Sequence, residues 1–430
     1  MKHVHIVEKN GKFLLFAPFK GLVMEIDEKE KNSLLNLINI ESSSFDDILN
    51  LLPIIDAEKL LNNDFEIKQE IETEFLPTSG TIFPTLDCGL RCTYCYSNAG
   101  TEGNKTNMPW EIAKATIDFL INNAKLKNEK ECSLEFHGGG EPTKNWPVFK
   151  KTILYFQDQS KENGINYNID LVTNGMLSEN QIKWLSNHIN YVQISSDGMK
   201  EIQDIQRPLA NGSPSSELVH KAIHSFLDKG VGVAVQCTIT DMGINKIPEI
   251  VSFFINTFSG VEIHLEPACS CGRGSDQEFP SSVAFIYGFI EASKIASFSN
   301  TDLFYSGYSP DLLEIRNNFC GIYGPNFIVS PTGLVTTCHE VIERSSPLAS
   351  LFIYGKFELG KGFIFDHQMI QNLRSKDGKL NPICSECPAQ YYCVGDCLAR
   401  KTNSSGKEIS NPRCHINYEL TVHRLFEEIS

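Results

Sequence analysis

Residues 88–95 read CGLRCTYC, three thiols at Cys-x3-Cys-x2-Cys spacing directly after an apolar run at 80–84. No other stretch constrains the fold so tightly. Cys88, Cys92 and Cys95, held in one short Gly-containing loop, can converge on one inorganic centre and leave one coordination position unfilled; a zinc knuckle or incidental thiols is the rival reading. A structural zinc site takes four protein ligands, whereas an iron–sulfur cube held by three Cys keeps one iron open to a small molecule. That vacancy is the first pointer to function.

The rest of the composition narrows the setting. A chain of 430 residues that is 41% apolar and 10% aromatic is long enough for two or three domains with a large buried core. A formal net charge of −15 and the lack of a long basic run argue against a nucleic-acid partner. The acidic surface suits either a basic peptide or simple solvation. The first residues, MKHVHIVEKNGKF, break every apolar run with charges, unlike a signal peptide. No run of about 18 apolar residues offers a membrane span. A cytoplasmic protein is expected, and its 14 Cys then read as cluster or metal ligands rather than disulfides, because the cytosol keeps thiols reduced.

Along the chain, apolar segments at 3–8, 12–17 and 21–26 around a Lys9-Asn10-Gly11 turn predict a small antiparallel sheet, and 28–38 and 45–52 carry helical periodicity. This α+β appendage is read either as a peptide-capturing module or as a packing extension. The acid-rich stretch 62–74 reads as a linker. From about residue 79 strands alternate with amphipathic helices: strands at 80–84, 133–136, 168–173, 191–195, 232–237 and 261–265, and helices at 110–124, 148–161, 178–186, 215–228 and 246–258, with Ser178 and Ser215 as N-caps. Six such units make a parallel βα array, in which ligands bind beyond the carboxyl ends of the strands. Cys132 and Cys237 fall inside strands and read as small buried hydrophobes. Cys269 and Cys271 follow the sixth strand at the ligand end, and read as spare ligands, redox thiols or inert loop residues.

The Cys triplet, with aromatic Tyr94 before its third Cys, resembles the signature of the radical S-adenosylmethionine (SAM) superfamily. The later motifs fall in that family's order. His137-Gly138-Gly139-Gly140-Glu141-Pro142 follows the second strand, Thr173-Asn174-Gly175 closes the third, and Ser195-Ser196-Asp197-Gly198 the fourth. A glycine run lets backbone approach a ligand and Glu141 offers an ammonium acceptor. The resemblance implies an α/β fold with a partial (βα)6 barrel whose Cys88, Cys92 and Cys95 hold a [4Fe–4S] cluster that binds SAM. It also implies that Gly139, Gly140 and Glu141 hold the SAM amino group, that Ser195 contacts the cofactor with Tyr94 and Asn174 nearby, and that Arg207 pairs with the SAM carboxylate. A guanidinium suits that last task because its planar fork matches a carboxylate. The rival readings are a surface ion pair for Arg207 and a turn residue for Asn174.

The last third repeats the cysteine theme: Cys320, Cys338, then Cys384-x2-Cys387-x5-Cys393-x3-Cys397, then Cys414. This resembles the SPASM extension, which carries auxiliary [4Fe–4S] clusters in peptide-modifying radical SAM enzymes; a zinc ribbon is the other reading of Cys-x2-Cys pairs. The resemblance assigns Cys384, Cys387, Cys393 and Cys414 to one closed auxiliary cluster and Cys320, Cys338 and Cys397 to a second. Fully ligated relatives have a further Cys a few residues after the first, and residues 321–329 contain none. The second cluster is therefore expected either to keep an open iron able to take a substrate thiolate or to borrow Cys269 or Cys271. Sulfatase-maturing relatives carry an Asp base after the residue matching Cys338, where this chain has His339 and Glu340; proton transfer by either, or a surface-facing pair, is the expectation.

The resulting picture has three parts: an appendage and linker at 1–76, a radical SAM barrel at 77–305 and a SPASM domain at 306–430. The expected activity is hydrogen abstraction by a 5′-deoxyadenosyl radical from a ribosomally synthesised precursor peptide, ending in a thioether or carbon–carbon cross-link. The alternatives are a sulfatase-type formylglycine maturase, a peptide epimerase and, outside enzymes, a zinc-binding peptide-recruiting protein. An electron donor such as flavodoxin or ferredoxin is expected; nucleic acid and membrane are not.

Overall fold

The computed structural model describes residues 3–38, 40, 44–52, 54–55, 74–101, 105–316, 318–324, 326–375, 384–402 and 411–429. At the N-terminus β1 (His5–Lys9), β2 (Lys12–Ala17) and β3 (Leu22–Ile26) form an antiparallel sheet in that order, followed by α1 (Glu28–Ile38) and α2 (Phe45–Leu51). Asn10 and Gly11 take φ of 52° and 75°, the mirror-image turn whose twist suits a two-residue hairpin. Central β2 is buried on both faces. Leu14 and Phe16 pack with Tyr391, Tyr392, Val422 and Leu425, while Leu15 faces Ile26, Leu34, Ile48 and Leu52. The predicted first strand is shifted by one or two residues. The linker expected at 62–74 lies outside the described residues except for Glu74.

The second sheet contains β4 (Ser79–Ile82), α3 (Trp110–Lys127), β5 (Glu131–Phe136), α4 (Trp146–Glu162), β6 (Asn166–Thr173), α5 (Glu179–Leu185), β7 (Tyr191–Ser195), α6 (Lys200–Gln206), α7 (Ser216–Leu227), β8 (Gly232–Ile239), α8 (Ile247–Thr257), β9 (Glu262–Pro267), α9 (Ser282–Phe298) and β10 (Leu303–Phe304), with the helices as crossovers. Neighbouring strands from β4 to β10 pair in parallel. All six predicted strands are present; α6, α9 and the short β10 are additional. The sheet curls, because the loop after β9 reaches the loop after β4: Arg273 N–H donates to Cys95 O at 2.8 Å. Then β11 (Ile328–Val329) pairs parallel with β4, and β12 (Leu334–Thr336), α10 (Ala349–Phe352), β13 (Ile353–Glu358) and β14 (Gly362–Phe365) follow, the strands extending the sheet antiparallel. Among the described residues there follow α11 (His367–Arg374), α12 (Gln390–Cys393), α13 (Leu398–Lys401) and α14 (Arg413–Glu428).

Strand alternation sorts the side chains. In β5 the buried Cys132, Leu134 and Phe136 alternate with the less buried Glu131, Ser133 and Glu135, and β7 to β9 behave alike. One set packs with helix residues such as Phe149, Phe156, Val219, Phe226 and Phe254 in one large core, at ~1.5–3 kcal/mol for each fully buried large apolar side chain. The other set supplies polar groups to the concave side. Cys132 and Cys237 belong to the core, at 2% and 0% exposure, as expected of small hydrophobes.

Ser178 caps α5 in a reciprocal capping box with Gln181. Ser215 does not cap α7, which corrects the sequence expectation. The Asp204 carboxylate accepts the Ser215 and Ser216 amides at 2.9 and 2.8 Å, leaving the Ser215 hydroxyl to donate to Arg207 O at 2.7 Å.

Candidate functional site

The loops at the carboxyl ends of β4 to β9 enclose a cavity of about 390 Å³, lined among others by Cys88, Cys92, Tyr94, Cys95, Gly139, Gly140, Glu141, Asn174, Ser195, Arg207, His339 and Glu340. Thus the residues singled out for the SAM cluster, for SAM itself and for proton transfer share one chamber. The Cys loop is built rigidly. Arg91 donates to Cys88 O and Leu90 O at 3.0 and 2.8 Å and to Gly100 O at 2.5 Å, and Gly100, at φ 71°, leaves no room for a Cβ beside Cys88 O. From the far side of the sheet Arg273 donates to Cys92 O and Ala99 O at 2.8 and 3.0 Å.

Gly140 is pinned along the same loop: its amide donates to Thr85 O at 3.0 Å, the next amide, of Glu141, donates to Asp87 O at 2.8 Å, and a Cβ on Gly140 would strike Asp87 O. The Glu141 carboxylate, 3% exposed, accepts at Oε1 from Thr143 N, Thr143 Oγ1 and Thr173 Oγ1 and at Oε2 from Asn174 N. Oε2 carries one bond and keeps acceptor capacity. Burial raises this carboxyl against those four donors. Asn174 reaches Cys88 Sγ with its Nδ2 at 3.5 Å, and the left-handed position in its turn is Gly175, at φ 77°.

Arg207 sits in a buried network that sequence reading missed. Its Nη1 donates to Tyr94 Oη at 2.6 Å, and Tyr94 donates to Asp197 Oδ2 at 2.6 Å. Asp197, 0% exposed, also accepts from Gln206 Nε2 and Thr238 N. The surface reading of Arg207 fails on burial. Its Nε has no partner, so a buried donor at the cavity wall awaits an acceptor, which an anionic ligand group would satisfy. Burial pushes the Cys92 thiol up to about 12, opposed first by the Arg207 charge.

On the opposite wall, Glu340 is held by Arg400 through contacts of 2.7 and 3.2 Å to Oε1. His339 lies 3.5 Å from Glu135 Oε2 and 4.7 Å, ring to ring, from His137. Burial would raise the Glu135 carboxyl, yet His339, His137 and Thr81 outweigh it and hold it at about 2. Burial lowers His137 to about 4, with His339 adding to the effect. Neither His339 nor Glu340 is a free surface residue.

The remaining thiols fall into two neighbourhoods. Ile322, Cys338, Cys397 and Ala399 share a small apolar cluster, and Thr337 ties it to the Cys320 turn by donating to Gly321 O and Ile322 O at 3.3 and 2.7 Å. Burial raises the Cys338 thiol, followed by Glu340 and by its neighbours Cys397 and Cys320. Likewise burial raises Cys387, with Cys384 and Cys414 adding to it, and Cys393 reaches about 12 through burial, Asp396, Cys414 and Cys387. Among the described residues no three His, Cys, Asp or Glu side chains converge on a single-ion site; ligands of a cube bind different irons and stand farther apart. Asn326, in the stretch lacking a fourth Cys, donates to Thr337 O at 3.1 Å. Cys269 and Cys271 are bonded to each other.

Other lining residues were missed: His137, Gln193, Gln236, Thr238 and Glu266; Cys269, read from the sequence as standing at the ligand end, also lines the cavity. For Gln193, Gln236, Thr238 and Glu266 the available signal was polar residues alternating with core residues inside β7, β8 and β9.

Residues 82–250 match the profile of the Radical SAM superfamily. An uncharacterized protein of Methanocaldococcus jannaschii is 31% identical over 169 residues, 39% of this chain and 55% of that protein. The cysteine-type anaerobic sulfatase-maturating enzyme of Clostridium perfringens is 24% identical over 358 residues, 79% of this chain and 92% of the enzyme. In structure, Streptococcus suis SuiB bound to its precursor peptide SuiA superposes with a TM-score of 0.55 at 14% identity, over 95% of this chain and 98% of that one.

Proposed function

We propose, from the premise that this chain is a radical SAM superfamily enzyme, that it modifies a residue of a ribosomally synthesised peptide at an unactivated C–H bond. The observation that carries the reading is the single cavity shared by Cys88, Cys92, Cys95, Glu141, Asn174, Ser195, Arg207 and the His339–Glu340 pair. In this reading the three thiolates hold a [4Fe–4S] cluster, Glu141 Oε2 accepts the SAM ammonium, and the unpartnered Arg207 Nε meets its carboxylate. The bound pair supplies a 5′-deoxyadenosyl radical on reduction by a flavodoxin- or ferredoxin-type donor. The protein's own groups orient SAM, keep water out and hold charge at the wall.

The two thiol neighbourhoods would each hold an auxiliary [4Fe–4S] cluster, in a SPASM part that begins near residue 306. Cys320, Cys338 and Cys397 would supply three thiolates to the second of these, so that a thiolate of the substrate would complete its ligand set, in keeping with a thioether or carbon–carbon cross-link. The relative bound to a precursor peptide supports a peptide partner, and β3, an edge strand of its sheet among the described residues, offers it strand addition. The site works in a reducing cytoplasm. A second reading, return of hydrogen to the same carbon, is favoured by Cys269 at the cavity wall. Co-expression with short peptides encoded beside the gene tests the proposal: a cross-link removes two hydrogens, inversion leaves the mass unchanged but alters chiral analysis, and no change to any peptide rejects the reading.

A further inference from the structure

A second cavity adjoins the first. It is bounded by Tyr96, Ser97, Asn98, Glu340, Ile342 and Leu348, among others, and shares Tyr96, Ser97 and Glu340 with the first. Cys269 lines the first cavity and Cys271 the second, and their sulfurs are bonded. The segment that carries them is fixed. Ala268 N–H donates to Ile239 O at 2.8 Å, Cys271 N–H to Cys269 O at 2.9 Å and Arg273 N–H to Cys95 O at 2.8 Å. Gly272 is pressed so closely on Cys95 O and Tyr96 O that no Cβ fits. A Cys-Ser-Cys pair is therefore clamped to the loop of the three cluster thiols, with Cys269 lining the chamber in which a carbon radical would form.

We propose that Cys269 and Cys271 form a redox-active dithiol, Cys269 donating a hydrogen atom to a carbon radical in the cavity and Cys271 resolving the product. The inference rests on the radical reading of the cavity and deepens its second outcome. A thiol S–H bond is weaker than an unactivated C–H bond, so transfer from sulfur to a radical on an unactivated carbon, such as the 5′ carbon of 5′-deoxyadenosine, runs downhill. The transfer breaks the Cys269 S–H bond, forms a C–H bond and leaves a thiyl radical. Cys271, having released its proton to water, bonds to that sulfur and gives a disulfide radical anion. Loss of one electron to a one-electron acceptor of the iron–sulfur or flavin class leaves the Cys269–Cys271 disulfide, which the proximity of the two sulfurs allows. A dithiol reductant resets the pair by thiol–disulfide exchange. Over the cycle the dithiol loses two electrons and two protons, one of each as the hydrogen atom given to carbon. Because Cys271 opens onto the neighbouring cavity, the reductant reaches it without entering the radical chamber.

The test needs no peptide. Full-length, cluster-loaded enzyme with its cysteine pair reduced is given SAM and a low-potential electron donor in D2O, where thiols exchange to S–D. Two quantities are read: the deuterium content of the 5′-deoxyadenosine formed, and the redox state of the pair by differential alkylation and peptide mass spectrometry. The expected result is deuterated 5′-deoxyadenosine together with oxidation of the pair. Deuterium should be lost in Cys269→Ala and kept in Cys271→Ala, where no Cys269–Cys271 disulfide forms. Cys132→Ala, which alters a core thiol, should leave both readings unchanged. Deuterium incorporation that is absent, or unaffected by Cys269→Ala, with the pair still reduced, would overturn the inference. Failure to form any 5′-deoxyadenosine would instead remove the radical reading beneath it.

Discussion

Replacing Glu141 by Gln changes one atom in the most heavily bonded side chain of the cavity. Three donors, Thr143 N at 3.2 Å, Thr143 Oγ1 at 2.7 Å and Thr173 Oγ1 at 2.9 Å, hold an oxygen at the Oε1 position. The new amide NH2 must then take the Oε2 position, where it meets Asn174 N–H at 2.8 Å, donor against donor. One bond to a charged acceptor is lost and a buried donor is left unpaired, a cost of ~1.5–3 kcal/mol. Stability falls by less, because burial already disfavours the charged carboxyl and the neutral amide escapes that penalty. SAM affinity has no such offset, since the amide donor faces the ammonium. Its expected loss of ~1.5–3 kcal/mol means a Kd raised about 10- to 150-fold. Equilibrium dialysis of SAM on cluster-loaded Glu141→Gln, with iron measured on the same sample, reads the effect directly. A Kd within twofold of the unmodified enzyme at full iron content would refute the placement of Glu141.

His5 links the N-terminal sheet to Tyr391 Oη at 2.8 Å and is lowered to about 4, chiefly by burial. Because the folded value lies below the ordinary 6.5, the stabilisation is complete above pH 6.5 and is lost as pH falls towards 4. The difference amounts to ~3 kcal/mol at 1.36 kcal/mol per pKa unit. Thermal unfolding between pH 7 and 4 should therefore be steeper for the unmodified chain than for His5→Gln, and equal acid slopes would contradict this. At β3, the edge strand among the described residues, hydrogen exchange of the Leu22–Ile26 amides should slow on addition of the precursor peptide; unchanged exchange with bound peptide would place the peptide elsewhere.

Much of this was legible because periodic patterns and close cysteine spacings are local. The six core strands follow from runs such as Tyr191–Ser195, and Cys88, Cys92 and Cys95 lie within one loop. What escaped depends on distance in sequence. Asp197 looks like part of a turn until Tyr94, Gln206 and Thr238 meet it. Arg400 is one more helical cation until Glu340 reaches it. Ser215 carries the residue type of a cap, but Asp204 folds back to take its amide. Helix α9, with Phe285, Ile286 and Phe289 buried and Val283 and Tyr287 exposed, is apolar on more than one face and so shows weak periodicity. Cys269 and Cys271 stand out in the sequence, yet only the fold shows that one faces each cavity.

The central claim is that the Cys88, Cys92 and Cys95 loop supports reductive cleavage of SAM. It is tested most directly by anaerobic turnover of the variant in which all three are Ala, beside the unmodified enzyme, with 5′-deoxyadenosine and methionine quantified. Both products should disappear in the variant, while the iron held by the C-terminal thiols and the thermal transition of the fold remain. Continued reductive cleavage of SAM by the triple variant would contradict the account.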